Sequence, residues 1–180
     1  MTSRRVTVFG GASPLPGSSA YQEALWLGKQ LASAGCTVLT GGYIGTMEAV
    51  SRGAAEAGGH VIGVTCDDIE RWRPIKANRW VQEEIHFETL SQRLMGLIEN
   101  CDAAIALSGG PGTLAEVAMM WNLLQTNGTH PRPLILVGEG WQAVIGQFLA
   151  SFDAYVPEKH RAWLILVDTV EEAVHLAAGK

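Results

Sequence analysis

Short apolar runs rich in β-branched residues alternate along this chain with longer stretches in which apolar residues return every three or four positions. The runs are Val6–Phe9, Thr37–Thr40, Val61–Val64, Ala103–Leu107, Leu134–Val137 and Leu164–Val167. Each is apolar on both pleat faces, as a strand covered by helices on two sides must be. Between them, Ser19–Ala34, Thr46–Ala57, Thr89–Asn100, Leu114–Gln125, Trp141–Ser151 and Thr169–Ala178 carry helical spacing, as in Leu114, Val117, Ala118, Trp121 and Leu124. This β-α-β-α order predicts an α/β fold: one doubly wound parallel sheet with right-handed crossovers, and ligands at the carboxyl ends of the strands. With 180 residues, the chain reads as a single domain spanning 1–180.

Only Thr65–Trp80 breaks the rhythm, crowding Asp67, Asp68, Glu70, Arg71, Arg73, Pro74 and Lys76 into one polar stretch. A long loop of this kind is either a flap over a site or a solvated connection. Gly128-Thr129-His130-Pro131-Arg132-Pro133 is a rigid entry into the next strand.

Composition narrows the partners. Thirteen Lys and Arg against eighteen Asp and Glu give a net charge of -5, with no basic run, so nucleic acid and acidic membranes are not expected. No window approaches the roughly 18 apolar residues of a membrane span. The arginine pair near the start is followed by an apolar run that stops at Phe9, too short for an export signal. Cys36, Cys66 and Cys101 are odd in number, far apart and never in a C-x-x-C pair, which argues against a disulfide framework or zinc ribbon and for a reducing cytoplasm.

The chemistry concentrates in glycine clusters. Thr40-Gly41-Gly42-Tyr43-Ile44-Gly45-Thr46 and Ser108-Gly109-Gly110-Pro111-Gly112-Thr113 each follow a buried run and open a helical one. Glycines at such corners let backbone N–H groups converge on an anion at the positive end of a helix, so Gly41, Gly42, Gly45, Gly109, Gly110, Gly112 and Thr113 are candidate phosphate ligands. Gly10-Gly11-Ala12-Ser13 adds Ser13 as a hydroxyl donor.

Other motifs fail. Gly11 to Ser18 lacks the lysine of an ATPase loop, and no G-x-G-x-x-G follows the first run. The five histidines have no paired spacing and no G-x-S-x-G elbow exists, so neither a metal site nor a cofactor is expected, and metal and serine hydrolysis drop out. Glu116 carries two readings. Thr113-Leu114-Ala115-Glu116 has capping-box spacing, as do Thr89-x-x-Gln92 and Thr169-x-x-Glu172. Alternatively, its carboxylate faces the part of a ligand next to the phosphate, such as a ribose.

Ser108-Gly109-Gly110-Pro111-Gly112-Thr113-Leu114-Ala115-Glu116 resembles the P-G-G-x-G-T-x-x-E signature of the LOG (Lonely Guy) family, the cytokinin riboside 5′-monophosphate phosphoribohydrolases long labelled lysine decarboxylases. The resemblance runs nearly end to end. Val8-Phe9-Gly10-Gly11-Ala12-Ser13 matches the family's first strand and turn, Tyr21 to Gly28 its first helix, Gly41-Gly42-Tyr43-Ile44-Gly45-Thr46-Met47 its second glycine loop, and Gly63-Val64 its third strand exit. Arg93 matches the arginine of the family's R-K-x-x-M segment. The resemblance implies a Rossmann-like fold, a homodimer, Arg93 and Glu116 as catalytic pair, and hydrolysis of AMP or an N6-modified AMP to free base and ribose 5-phosphate.

Two positions depart from the pattern: Ser108 replaces the signature proline and Leu94 the lysine after the arginine. Some superfamily members with similar glycine loops are described as carriers of a phosphorylated pterin-type (molybdenum) cofactor, so a non-catalytic carrier or sensor is the alternative. The segment after the signature, with Leu114, Val117, Ala118, Met119, Met120, Trp121, Leu123 and Leu124, is apolar nearly all round. Either neighbouring helices cover it, or Met119, Met120 or Trp121 faces a second copy.

Overall fold

The computed structural model describes residues 3–179; Met1, Thr2 and Lys180 lie outside the described residues. In chain order the elements are β1 (Arg5–Phe9), α1 (Ser19–Ser33), β2 (Thr37–Thr40), α2 (Thr46–Glu56), β3 (Val61–Cys66), α3 (Asp67–Trp72), β4 (Glu83–Phe87), α4 (Leu90–Glu99), β5 (Ala103–Ala106), α5 (Pro111–Gln125), β6 (Leu134–Val137), α6 (Glu139–Ser151), a 3-10 turn (Asp153–Tyr155), α7 (Glu158–Arg161), β7 (Leu164–Val167) and α8 (Val170–Ala178). The strands form one parallel sheet in the order β4-β3-β2-β1-β5-β6-β7.

Pleat alternation divides the core into two layers. Val6, Val8, Ala103, Ile105, Ile135 and Val137 face residues of α1, α2 and α8. Phe9, Ala104, Ala106, Leu134 and Leu136 face α4, α5 and α6 on the other side. Both faces are covered, which is why these strands are uniformly apolar.

All six expected strands are present, and β4 is an addition. Its sequence Glu83-Glu84-Ile85-His86-Phe87 alternates because it is a sheet edge, with Glu83, Glu84 and His86 exposed and Ile85 and Phe87 half-buried. Charges on an edge also discourage pairing with foreign strands. The polar stretch Thr65–Trp80 is not structureless: its first two residues complete β3 and the next six form α3, whose early Asp67, Asp68 and Glu70 suit a helix N-terminus. No helix among the described residues is long and apolar enough to cross a membrane.

Helix α5 is only partly wrapped. Met120 is fully buried and Trp121 half-buried, whereas Met119 remains exposed and Leu114 is exposed beside Val144 of α6.

α1 and α2 touch through backbone. A Cβ on Gly28 would lie 2.1 Å from the Val50 carbonyl oxygen, and one on Gly53 1.9 Å from that of Leu25. These mid-helix glycines, each costing up to about 1 kcal/mol of helix propensity, are therefore required by the crossing. Gly53→Ala should lower the urea midpoint by an amount equivalent to about 1–3 kcal/mol, the usual cost of overpacking. Gly146→Ala in α6, where a Cβ meets nothing within 4 Å, should be neutral or stabilising by up to about 1 kcal/mol.

Candidate functional site

Strand order reverses at β1, which lies between β2 and β5, so the loops leaving these strands part to form a crevice. Backbone bonds lock them together. Gly11 N–H donates to the Ser108 carbonyl at 3.2 Å, and Thr46 N–H donates to the Gly11 carbonyl at 2.9 Å. Gly45, at φ 71°, passes so close that a Cβ would lie 2.5 Å from the Ala12 backbone. The crevice holds a cavity of about 320 Å³.

One wall is the start of α5. The helix begins at Pro111, three residues before the periodicity suggested, with Gly110 as N-cap, no side-chain cap and no acidic residue in its first turn. The amides of such a turn have no intrahelical acceptor, and Gly110, Gly112 and Thr113 line the cavity with Ser13. A Cβ on Gly112 would meet nothing within 4 Å, so the approach to this corner is open. Gly109 packs instead against Thr113, whose Oγ1 would sit 2.1 Å from an added Cβ.

This start corrects the capping-box reading of Thr113 and Glu116. Thr113 lies inside the first turn, and Glu116 falls on the second, facing the cavity. The same spacing at Thr89/Gln92 and Thr169/Glu172 does form capping boxes. The difference is Pro111, which is preorganised for the first helical position and draws the helix start toward the glycines.

The second glycine cluster serves the site from behind. Gly41, Gly42 and Gly45 are buried and do not line the cavity. Gly41 makes room for Arg93, whose Nη2 would lie 1.9 Å from a Cβ there. Gly42, at φ 79°, makes the turn. The N-terminus of α2 carries Glu48 in its first turn, which opposes an anion.

Arg93 and Glu116 come together. The Arg93 guanidinium, buried at the foot of the cavity, donates from Nε to the Val64 carbonyl at 2.7 Å and from Nη2 to the Gly41 carbonyl at 3.1 Å. It lies 5.6 Å from the Tyr43 ring centroid. Its Nη1 stands 3.7 Å from Glu116 Oε1, and the Glu116 side chain is only 12% exposed. Burial pushes the Glu116 pKa up to about 7, against the opposing pull of Arg93. A carboxyl poised there can exchange a proton at neutral pH.

Apart from Arg73, the roof comprises residues that the sequence reading did not single out. Ile69 and Trp72 of α3, with Arg73 and Ile75 beyond it, cover the cavity, and Tyr43 and Met47 line its side. The polar stretch thus occupies the flap position. Its far end is held by Asn78, which donates from Nδ2 to the Gly42 and Tyr43 carbonyls at 3.0 and 2.9 Å. The available signal was Ile69, Trp72 and Ile75 recurring every three residues within a charged stretch.

The family model described as "Possible lysine decarboxylase" matches residues 47–177. The chain belongs to this family. Among its LOG-type relatives, a probable cytokinin riboside 5′-monophosphate phosphoribohydrolase, LOGL9 of Oryza sativa subsp. japonica, is 31% identical over 178 residues, covering 96% of this chain and 76% of its own. The cytokinin riboside 5′-monophosphate phosphoribohydrolase of Mycobacterium tuberculosis is 30% identical over 179 residues, covering 96% and 92%. Among solved structures, TM1055 superposes with TM-score 0.77 at 29% identity over 98% of this chain and 99% of that one. The molybdenum cofactor carrier protein of Chlamydomonas reinhardtii gives 0.71 at 28% identity over 96% and 94%. The fold is accordingly the Rossmann-like one that the LOG resemblance implied.

Neither departure from the LOG pattern lines the cavity. Ser108 contributes its carbonyl to the lock with Gly11. Leu94 packs against the core layer that includes Leu97, Ile98 and Val117, and does not line the cavity.

Because the folded pKa of Glu116 lies above the usual 4.5, folding takes up a proton. The resulting stability is complete below pH 4.5 and is lost as pH rises to and through about 7. Between these limits the wild type should lose on the order of 3 kcal/mol that Glu116→Gln does not. Urea midpoints of both proteins at pH 5 and pH 8 check this: the glutamine variant should gain on the wild type as pH rises.

Proposed function

We propose that this protein hydrolyses the N-glycosidic bond of a nucleoside 5′-monophosphate, AMP or an N6-modified AMP, giving free base and ribose 5-phosphate. The observation that carries this reading is the buried Glu116 carboxyl, held 3.7 Å from a locked guanidinium in a cavity whose wall is an uncapped helix N-terminus. The names of the LOG-type relatives support the same substrate class.

The 5′-phosphate sits on the first turn of α5 at Gly110, Gly112 and Thr113, with Ser13 as a further donor. Gly109 shapes this corner, and Gly41, Gly42 and Gly45 support it from behind. The ribose then lies toward Glu116. As the C1′–N bond breaks, its electron pair leaves with the base and positive charge develops on the sugar ring. Ionised Glu116 stabilises that charge and takes a proton from the water whose oxygen bonds to C1′; that proton then passes to the nitrogen of the departing base, leaving the base neutral and Glu116 ionised again. Arg93 is spent on two backbone carbonyls and Glu116, so it positions the carboxylate more than it holds phosphate.

The molybdenum cofactor carrier of Chlamydomonas, at 28% identity and the same fold, favours a second reading: a phosphorylated pterin-type ligand held without turnover. Incubation with AMP and N6-modified AMP followed by chromatography separates the two. Cleavage should appear as free base, with kcat/KM rising with pH through about 7, where Glu116 ionises, to a plateau. Glu116→Gln should reduce kcat by about 10²–10³. Binding of nucleotide with no base released would favour the carrier.

A homodimer belongs to the same proposal. Leu114, Val144 and Phe148 form an exposed apolar face beside the start of α5, each at least 40% exposed, and a two-fold partner is the commonest cover for such a face. Light scattering should give twice the 19.3 kDa chain mass, and Val144→Glu should shift it to a monomer.

A further inference from the structure

A second cluster lies at the sheet edge, apart from Arg93 and Glu116. On β4, Glu84 and His86 are two residues apart and so share one face of the strand. Glu84 Oε1 lies 3.8 Å from His86 Nδ1, and Glu70 Oε1 of α3 lies 4.0 Å from the same nitrogen. The three ligand atoms fall within 4.8 Å of one another.

Glu70 supplies the independent observation. Its side chain is only 9% exposed, yet its Oε1 is buried with no hydrogen-bond partner among the described residues. Oε2 is taken by Lys76. Such an oxygen loses its hydration with nothing in return, and it faces the imidazole.

The surroundings orient the histidine as a ligand. His86 Nε2 lies 2.9 Å from Asp67 Oδ1. A carboxylate that accepts the distal N–H favours the tautomer with an unprotonated Nδ1, which lies on the side of the two glutamates, the arrangement that fixes ligating histidines in metalloproteins. Thr65 Oγ1 sits 2.8 Å from Nδ1 and 2.5 Å from Glu84 Oε1. The hydroxyl proton goes to Glu84, so an ion at Nδ1 takes the place of the imidazole proton that would otherwise bond Thr65 Oγ1.

We propose that Glu70, Glu84 and His86 bind a divalent first-row transition ion, Mn²⁺ or Zn²⁺, between α3 and β4. Two ligands on one ion are at most about 4.2 Å apart, twice a bond of about 2.1 Å. The separations of 3.8 and 4.0 Å satisfy this, and the exposed Glu84 closes the remainder by rotation. Imidazole with carboxylates favours these ions over Mg²⁺ and Ca²⁺, which prefer oxygen alone. A proton on Nδ1 is the competitor.

The ion's role is structural. Glu70 lies on the same short helix as Ile69 and Trp72, which roof the cavity, so an ion bound there pins the roof to the sheet edge. The histidine survey missed the site because it sought paired histidines on a helix, whereas this one uses E-x-H on a strand and a glutamate from another element.

The test uses full-length, tag-free, chelator-treated protein. Mn²⁺ is titrated first, because it does not favour the thiols of Cys36, Cys66 and Cys101, and Zn²⁺ second. Calorimetry should show one ion per chain, with slowed amide exchange across Asp67–Trp72. Glu84→Gln and His86→Ala, both at exposed positions, should abolish uptake, and Asp67→Asn should weaken it about 10–100-fold. Absence of stoichiometric uptake of either ion would overturn the proposal, as would uptake equal to wild type in both Glu84→Gln and His86→Ala.

Discussion

A buried guanidinium needs partners on every side, and at Arg93 those partners come from three different parts of the chain. Val64 lies within β3, Gly41 follows β2, and Glu116 belongs to α5, while Arg93 itself is on α4. Arginine stays charged at any pH the protein meets, so the cost of removing it from water has to be offset by fixed acceptors. The two carbonyls are fixed because one lies within β3 and the other directly follows β2, neighbouring strands of a continuous sheet. Gly41 follows directly: any side chain there would occupy the guanidinium's position. The seat therefore sets both the sequence of the second glycine cluster and the place of the Glu116 carboxyl.

The two glycine clusters look alike in sequence and do different work. At the start of α2 the glycines are enclosed and Glu48 occupies the first turn, so the turn is shaped for packing. At the start of α5 they are exposed, no carboxylate is present in the first turn, and proline sets the helix start. Periodicity and composition do not register this distinction, because enclosure is a property of what passes over the loop. Gly11, Ala12 and Asn78 do that here, and they come from distant parts of the chain.

The sheet was legible because its inner strands are covered on both faces and so carry an unmixed apolar signal. β4 was not, because an edge strand with one wet face reads as a polar segment, and its pairing with β3 is a tertiary fact. The six-residue helix α3 is too short for periodicity to stand out. Within the site, Arg93 and Glu116 were accessible through the family signature, while Tyr43, Ile69 and Trp72 were hidden by being ordinary apolar residues. The capping-box alternative at Thr113 fails for a definite reason: the spacing is local, but the helix start is decided by Pro111 and the loop behind it.

The arrangement also limits which ligands suit the cavity. From Gly112 to Glu116 the helix rises about 6 Å, so the phosphate corner and the carboxylate are separated by a distance comparable to one pentose. An anion placed nearer to Glu116 would be repelled, and its approach would cost more in this shielded setting than in water. A ligand with its negative charge at one end and an electron-poor carbon one sugar away gains at both positions. The gain at the second grows as that carbon becomes cationic, so the same spacing that selects a sugar phosphate favours its transition state over its ground state. A carrier would need only the first half of this arrangement. A deeply buried carboxyl with its pKa lifted to about 7 is costly to keep ionised, and mere retention of a phosphate gives no return on that cost.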